Sequence, residues 1–310
     1  MSATSSSRRL FALLTFEVPS FAKRVLPWGL RYRLRRLRAM LLSLGVPHET
    51  EFVQPREEVE ASACMSIIVG IRDAPAVTRR CLGSLERYAP KSEIILVDDA
   101  SVLLETLTVI SDLSIRNGWK VVRHQKPLGH SRACEAGARF ATRPYLCLLN
   151  SDTVVSPWSW RAAKEAFDTD ERIAVTGPST SYGARRQAIP RAMYCRHYWS
   201  DGQISAFAHQ YLATQPKLSW MDVPAVGGFA FFIRKSVWEE LGGFDPNLPD
   251  YGNENELCKR ITRRGLRIVW TRNSYIHHLG AETYSRTGEA ALHEKWSGAC
   301  DYIKHKHGSL

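Results

Sequence analysis

The chain has 310 residues, enough for one large domain or two half-domains that bury a core. Its 44% hydrophobic content is ordinary for a globular protein and excludes a largely disordered chain. The sequence lacks a run of about 18 apolar residues, which argues against a membrane-spanning helix. We expect no secretory signal either, because Glu17 and Pro19 interrupt a short apolar run that lacks a small-residue cleavage site.

The cysteines point to a reducing compartment. There are seven, an odd number, and they are scattered without a CxxC pair. Several lie inside apolar runs, such as Cys147 in "YLCLLN". Buried free thiols fit this pattern better than a disulfide framework or a zinc site. We therefore predict a cytoplasmic protein.

The net charge of +11 is concentrated in an N-terminal arm. Residues 1–48 carry nine Lys or Arg and one acid, Glu17, whereas residues 49–60 carry five acids and one Arg. Within the arm, leucines recur at helical spacing on one face, with arginines elsewhere. The leucines are residues 30, 34, 37, 41 and 44. This basic amphipathic helix predicts either a contact with an anionic membrane surface or packing on the main domain or a second subunit.

From residue 65 onward, apolar β-branched runs alternate with helical patterns. The predicted strands are "MSIIVGI", "SEIILVDDAS", "KVVRHQ" and "YLCLLNSD", separated by the helices "APAVTRRCLGSLERYA", about 102–117, and "PLGHSRACEAGARFA". This alternation predicts an α/β fold with a doubly wound, mostly parallel sheet. Such sheets bind ligands outside the carboxyl ends of their strands.

Acidic residues follow two of these strands. Asp98 and Asp99 end one strand and Asp152 ends another, and Arg72, Arg123 and Arg132 lie on the intervening segments. Taken singly, Asp99 or Asp152 is equally well explained as the cap of the following helix. Together they indicate a site for a hard cation, Mg²⁺ or Mn²⁺, that holds a diphosphate.

The second half of the chain is less regular. A helix "PWSWRAAKEAF" and a strand "RIAVTG" precede residues 178–219, which are rich in Ser, Arg, Tyr and Gln. We predict a structureless segment there and, because long loops inside domains are usually functional, a role in substrate recognition. The apolar stretch "VPAVGGFAFFIRKSVWEEL" follows it.

The order of motifs from residue 65 to about 285 resembles family 2 glycosyltransferases of GT-A fold, a family that includes bacterial transferases of surface polysaccharides. The opening strand and helix match "SIIVGIRDAPAVTRRCLGSL", and "VDDAS", "KPLGHSRACEAG" and "NSD" follow in the family's order. The later matches are Gly227-Gly228, Arg234, Gly242-Gly243-Phe244-Asp245, "GNENELCKR" and "SYIHHLG". Seven ordered matches are far more specific than any single motif.

The resemblance implies a role for each matched position. Asp98 and Asp99 would bind the base and ribose of a nucleotide sugar, Asp152 would ligate the metal, and His278 would contact the metal or the diphosphate. A histidine with only a local hydrogen bond stays an alternative for the pair His277–His278. The nucleotide-sugar site implied as a whole comprises Ile71, Asp73, Asp98, Asp99, Arg132, Ser151, Asp152 and Gly228.

In "GNENELCKR" the resemblance places the general base at Glu254. A carboxylate there can take the proton of an acceptor hydroxyl as it attacks the anomeric carbon. Asn253 and Asn255 can orient it without adding like charge, and Glu256 can support the helix start. Asn253 stands where the family usually has an acid, and Arg72-Asp73 where it usually has Tyr-Asn.

These matches imply an inverting, metal-dependent glycosyltransferase in cell-surface polysaccharide or glycoconjugate synthesis. Its donor would be a UDP-, dTDP- or GDP-sugar and its acceptor a saccharide or a lipid-linked sugar. We expect no nucleic-acid partner, and the sequence leaves open whether the chain forms an oligomer. The alternatives are a non-catalytic GT-A-fold binding protein and a nucleotidyltransferase, although "VGIRDAPAV" lacks the glycine-rich basic loop of the latter. Nucleic-acid binding by the arm is a further alternative, but the arm carries no recognised motif for it and its leucine face needs an apolar partner.

We expect the arm and an acidic linker at residues 1–60, a GT-A domain at 61–290, and a C-terminal tail at 291–310. Within the domain, residues 61–155 would bind the nucleotide sugar and residues 156–290 would hold the acceptor and catalytic groups. A basic arm on an anionic membrane would make the protein peripheral at the cytoplasmic face.

Overall fold

The computed structural model describes residues 52–183, 186–195, 199–217, 219–280 and 289–308. The predicted amphipathic helix of residues 1–48 lies outside these residues. In the described part of the chain, no helix is long and apolar enough to cross a membrane.

Residues 56–150 form a βα-alternating half with parallel strands. The strand order is β3-β2-β1-β4, and all three pairings in it are parallel. This arrangement confirms the alternation predicted from the sequence. The elements are α1 (Arg56–Ser62), β1 (Met65–Ile71), α2 (Pro75–Tyr88), β2 (Glu93–Asp98), α3 (Leu104–Asn117), β3 (Lys120–Arg123), α4 (His130–Ala138) and β4 (Tyr145–Asn150).

The second half completes the sheet with mixed pairing. Strand β8 lies antiparallel to both β4 and β6, β6 and β9 are parallel, and β5 and β7 each pair antiparallel with β9. The elements are β5 (Thr153–Val155), α5 (Arg161–Thr169), β6 (Ile173–Ser179), α6 (Pro190–Cys195), α7 (Asp201–Leu212), β7 (Trp220–Asp222), β8 (Ala230–Arg234), α8 (Lys235–Leu241), α9 (Asn253–Arg263), β9 (Arg267–His278) and α10 (Glu289–His307). The α/β fold is thus confirmed, with a sheet that is mixed rather than mostly parallel.

Both faces of the sheet are covered, which is why the strands read as continuous apolar runs. In β1, Ile67, Val69 and Ile71 belong to one buried cluster. Ile68 belongs to a second cluster on the opposite face, as the two-residue period of a strand requires.

Residues 178–219 are not a structureless segment, and that prediction is wrong. They include the end of β6 and the helices α6 and α7. Helix α7 starts with a capping box, because Ser200 Oγ accepts the N–H of Gln203 and Gln203 Oε1 accepts the N–H of Ser200. Its Ile204 and Phe207 pack into a buried aromatic cluster. The polar composition of the segment hides this apolar spacing.

Residues 291–310, expected as a tail, lie largely within α10, which packs against the domain. The carboxyl ends of β1, β2 and β4 meet at one edge of the sheet, where Ile71 pairs with Asp98 and Gly70 with Asn150. This edge is the rim of the cavity described next.

Candidate active site

A cavity of about 830 Å³ opens at the carboxyl ends of β1, β2 and β4. Its wall is built from both halves of the domain and from α10. Of the predicted site residues, Ile71, Asp73, Asp99, Ser151, Asp152, Gly228, Glu254 and His278 line it. Among the residues that the structure describes, the lining comprises 70–74, 99, 129–130, 133, 150–152, 182–183, 225–229, 250–252, 254–255, 278 and 295–296.

The turn after β1 holds a strained backbone at the cavity rim. Asp73 and Ala74 have φ values of 54° and 56°, in a region that non-glycine residues rarely adopt. Asp73 Oδ1 accepts the backbone N–H groups of Val102 and Leu103 at 3.0 and 2.9 Å, at the start of α3. Its own N–H donates to Ser101 Oγ at 2.9 Å. These bonds fix the turn and join it to the loop after β2.

Asp98 and Asp99 are adjacent in sequence but have different surroundings and contacts. The buried Asp98 accepts the N–H of Ser101 at 2.9 Å and pairs with Arg123, and it does not line the cavity. Asp99 lines the cavity and accepts the N–H groups of Leu128 and Gly129 at 2.8 and 2.9 Å. Asp99 thereby shapes the loop that carries the cavity wall, whereas Asp98 secures the turn beneath it.

Arg132, predicted as a nucleotide-sugar contact, lies on α4 outside the cavity lining. Its guanidinium pairs with Glu135 at 2.8 Å, three residues along the same helix. Arg72 is exposed at the rim and does line the cavity. Of the three arginines picked out from the sequence, Arg72 is thus the one with access to a ligand in the cavity.

Asp152 and His278, the two residues expected to hold a metal, lie in contact inside the cavity. Asp152 Oδ1 lies 3.1 Å from His278 Nε2, and both side chains are nearly buried. The pair forms because β5 runs antiparallel to β9 and sets Thr153 opposite His278. Phe229 stacks on the imidazole, with 5.1 Å between ring centroids, and fixes its plane.

The donor set of this pair suits a divalent cation. His278 Nδ1 lies 2.7 Å from the carbonyl oxygen of Tyr182, which can only accept, so Nδ1 carries a proton. In the neutral tautomer this bond leaves the lone pair of Nε2 facing the Asp152 carboxylate, so a nitrogen donor and an oxygen donor converge on one point. An imidazole oriented through its other nitrogen is typical of metal ligands. No group of three or more His, Cys, Asp or Glu side chains forms a metal site within the described residues.

Glu254 projects into the same cavity from the first turn of α9. Burial raises the pKa of its carboxyl group to about 7, although backbone N–H groups of Glu254 and Gly228 oppose the shift. A Cβ atom at Gly228 would lie 1.7 Å from Glu254 Oε1, so glycine is required there to leave room for the carboxylate. A carboxyl group with a pKa near neutrality is suited to proton transfer.

Of the other polar residues of the motif, Asn255 also lines the cavity, whereas Asn253 and Glu256 are structural. Asn253 is fully buried, accepts the Glu254 N–H at 2.9 Å and donates to Ser131 Oγ at 2.8 Å. Glu256 is fully buried away from the cavity lining and pairs with Arg260. Burial alone would raise the pKa of Glu256, but hydrogen bonds from Arg260 and other donors hold it below its usual value. Glu254 is therefore the motif carboxylate that faces the cavity.

The model of the family described as "Glycosyl transferase family 2" matches residues 66–241, more than half of the chain. The chain belongs to glycosyl transferase family 2. Among curated relatives, O-antigen biosynthesis protein RfbC of Myxococcus xanthus is 27% identical over 253 residues, covering 76% of this chain and 18% of that protein. Probable glycosyltransferase YdaM of Bacillus subtilis is 24% identical over 221 residues, covering 69% of this chain and 50% of that protein. Human polypeptide N-acetylgalactosaminyltransferase 18 is 28% identical over 234 residues, covering 69% and 37%.

This family 2 chain thus spans half or less of the length of these curated relatives. Its fold is also that of solved GT-A glycosyltransferases. GalNAc-T7, crystallised with UDP, GalNAc and Mn²⁺, superposes with a TM-score of 0.54 at 18% identity, covering 82% of this chain and 53% of that one. Mannosyltransferase PcManGT from Pyrobaculum calidifontis, in complex with GDP-Man and Mn²⁺, gives a TM-score of 0.51 at 14% identity, covering 90% and 85%. At such low identity these likenesses establish the fold alone.

Several cavity residues are not among the site residues predicted from the sequence. His130, Tyr182, Tyr251, Lys295 and Trp296 all line the cavity. Tyr251 directly precedes the matched motif "GNENELCKR", and this neighbourhood could have identified it as a candidate site residue. Lys295 and Trp296 lie on α10, outside every motif, and no pattern in the sequence links them to the site.

Proposed function

We propose that this chain is an inverting glycosyltransferase that moves a sugar from a nucleotide-sugar donor to an acceptor hydroxyl, with Glu254 as the general base. The observation that carries the proposal is the meeting of Glu254 with the Asp152–His278 pair in one cavity. A retaining mechanism through a covalent intermediate would need a nucleophile beside the anomeric carbon, and we assign none. A single displacement needs only the base and a stabilised leaving group.

Glu254 would accept the proton of the attacking hydroxyl. Its carboxylate is set by backbone N–H groups and by the space at Gly228, so it keeps one orientation without a second acid beside it. Asn253, in the position where relatives carry an acid, bonds to the Glu254 backbone and to α4 instead. The base thus acts alone, and transfer should require its deprotonated form.

Asp152 and His278 would hold a divalent ion, Mg²⁺ or Mn²⁺. Such an ion would neutralise the donor diphosphate and act as a Lewis acid for the departing nucleotide. The structures of GalNAc-T7 and PcManGT, both with Mn²⁺, support a metal of this kind. Two protein ligands suffice for such an ion, because nucleotide-bound cations usually keep water and phosphate oxygens as their other ligands.

The donor side would lie at the carboxyl ends of β1 and β2. Ile71, Asp73 and Asp99 line the cavity there, and Arg72 can meet a phosphate or ribose from the rim. The donor nucleotide is uridine, thymidine or guanosine diphosphate on this proposal. The name of the Myxococcus relative supports a place in surface-polysaccharide synthesis.

Replacing Asp152 by alanine tests the metal and donor site. The variant should lose Mn²⁺-dependent binding of the nucleotide sugar, measured by calorimetry against a panel of UDP-, dTDP- and GDP-sugars. Asp112→Ala, which removes an exposed carboxylate on α3, is the matched control and should bind as the wild type does. Unchanged donor affinity in Asp152→Ala with metal present would contradict the assignment.

A further inference from the structure

Helix α10 forms one wall of the cavity and packs against the start of α9, the helix that carries Glu254. Ala299 and Ile303 pack on Leu248 in a small buried cluster. Gly252, which precedes α9, has φ +76°, and a Cβ atom there would lie 3.0 Å from Ile303 Cδ1 and 3.1 Å from Ala299 Cβ. The close approach places α10 directly beside the turn that carries Glu254.

Ion pairs secure the carboxyl-terminal end of α10. Lys306 Nζ lies 2.7 Å from Glu256 and 2.5 Å from Asp245. His307 Nε2 lies 3.1 Å from Glu256, and Tyr302 donates to Asp245 at 2.8 Å. Because Glu256 and Asp245 are buried, the carboxylate side of each contact is shielded from water, which strengthens the contacts that hold this end of the helix.

The fixed helix presents an aromatic face at the cavity. Trp296 lines the cavity and is 45% exposed. Tyr251 meets it edge-on, with ring centroids 6.4 Å apart and planes at 86°, and so sets the angle of the indole. Lys295 Nζ lies 3.0 Å from Asp250 Oδ2 at the same rim. An open indole face beside a charged polar pair thus borders the catalytic cavity.

These features have the chemistry of a sugar-binding wall. The C–H groups of a pyranose ring form apolar faces with slightly positive hydrogens, which suit the negative face of an indole. The ring's hydroxyl groups project sideways and need polar partners, which Lys295 and Asp250 supply. A buried core tryptophan would have no reason to keep nearly half of its surface open at a polar cavity.

The position of this wall favours the acceptor over the donor. Tyr251 lies three residues before Glu254, and α10 packs on Gly252 between them. The base must lie within hydrogen-bond reach of the acceptor hydroxyl, so the acceptor sugar lies on the Glu254 side of the cavity. The donor diphosphate is assigned to the strand ends of the other half.

Building on the proposed function, we propose that Trp296 on α10, braced by Tyr251, is a specificity-determining residue that stacks on the acceptor saccharide. The assignment lies outside residues 66–241 that match the family model, so it belongs to this chain's own C-terminal helix. Glu256 and Asp245 support this wall indirectly by holding α10. The acceptor class is therefore a pyranose sugar with a free hydroxyl.

Saccharide binding can be measured without turnover. The probes are methyl glycosides of hexoses, N-acetylhexosamines and deoxyhexoses, tested by saturation-transfer NMR and calorimetry with Mn²⁺ and UDP, dTDP or GDP present. Trp296→Ala should weaken binding of the saccharide that the wild type prefers by about tenfold or more, as for truncation of an aromatic anchor. Trp296→Phe keeps a stacking face and should stay within about threefold of the wild type.

Controls separate this assignment from the proposed function. Lys304→Ala changes an exposed position of α10 outside the cavity lining and should leave saccharide affinity unchanged. Nucleotide affinity should equal that of the wild type in all three variants. Wild-type saccharide affinity in Trp296→Ala, or a wild type that binds a nucleotide but none of the saccharides, would overturn the assignment of this wall. A wild type that binds no nucleotide would overturn the proposed function first.

Discussion

Glu254→Gln separates the chemistry of this carboxylate from its effect on stability. Glutamine keeps the shape of the side chain and offers an oxygen to the Gly228 N–H, but it cannot accept a proton at neutral pH. Because we assign no other group to take the acceptor proton, transfer should fall by roughly 10²–10⁴-fold. The loss should occur in kcat rather than in donor KM, as for an interaction made mainly in the transition state.

The same variant should be more stable than the wild type at pH 8. Burial raises the pKa of Glu254 from 4.5 to about 7, so between these pH values the folded chain keeps a proton that the unfolded chain has released. The free energy of unfolding therefore falls as the pH rises through this window. At 1.36 kcal/mol per pH unit the ionised Glu254 costs about 3 kcal/mol at pH 8, and glutamine removes that cost.

Glu256→Gln is the matched control, two residues along the same helix. The native carboxylate is fully buried and meets Arg260, Lys306 and His307. Removing its charge leaves the partly exposed Arg260 and Lys306 without their buried partner, which should cost less than the about 3–5 kcal/mol typical of a fully buried pair. The variant should melt at a lower temperature but retain most of its kcat when assayed well below that temperature.

The assay pairs nucleotide-release kinetics with thermal unfolding at pH 5 and pH 8. Glu254→Gln should be inactive at both pH values, with a melting temperature raised by several degrees at pH 8 and little changed at pH 5. A dead but folded Glu256→Gln beside a nearly normal Glu254→Gln would show that the register of the motif is wrong. An inactive Glu254→Gln without a pH-dependent gain in stability would refute the burial argument.

Gly228→Ala should lose most of its transfer activity, because the new Cβ would lie 1.7 Å from Glu254 Oε1. The control is Gly83→Ala in the interior of α2, where the new Cβ would meet no atom within 4 Å. This control should keep its activity and gain up to about 1 kcal/mol of stability. Equal kinetics of the two variants would contradict the steric role. Deleting residues 1–48 should weaken co-sedimentation with anionic liposomes and spare donor binding, because each near-surface basic residue contributes about 1 kcal/mol on anionic lipid. Equal sedimentation with and without the arm would assign it to another partner.

The parallel half of the fold is readable from the sequence because its strands are buried on both faces. Continuous apolar runs such as "MSIIVGI" and "EIILVD" are typical of that environment, and helical patterns between them fix the connections. The second half is not readable in the same way. The run "AFFIR" of β8 has the same apolar character, yet it lies antiparallel between β4 and β6. Strand direction follows from the path of the chain and leaves no trace in an apolar run.

The strand-end carboxylates show a similar limit. Successive side chains at a strand end point to opposite sides, so only one of Asp98 and Asp99 can face the cavity. The sequence could not say which, and the structure turns Asp98 toward Arg123 and Asp99 toward the cavity. The prediction that Arg132 contacts the nucleotide sugar is wrong because its guanidinium pairs with Glu135, about one turn further along α4, on the surface of that helix.

The two carboxylates of the motif that opens α9 face different parts of the molecule. Residues 254 and 256 are two positions apart on a helix, so their side chains point about 200° apart and cannot share a site. One carboxylate faces the cavity and the other faces the core, where it holds Lys306 and His307 of α10. On the proposals made here, "NENE" thereby supplies the base with Glu254 and, through Glu256, positions the helix whose Trp296 meets the acceptor. A change at Glu256 should accordingly disturb acceptor binding through α10 before it disturbs donor binding.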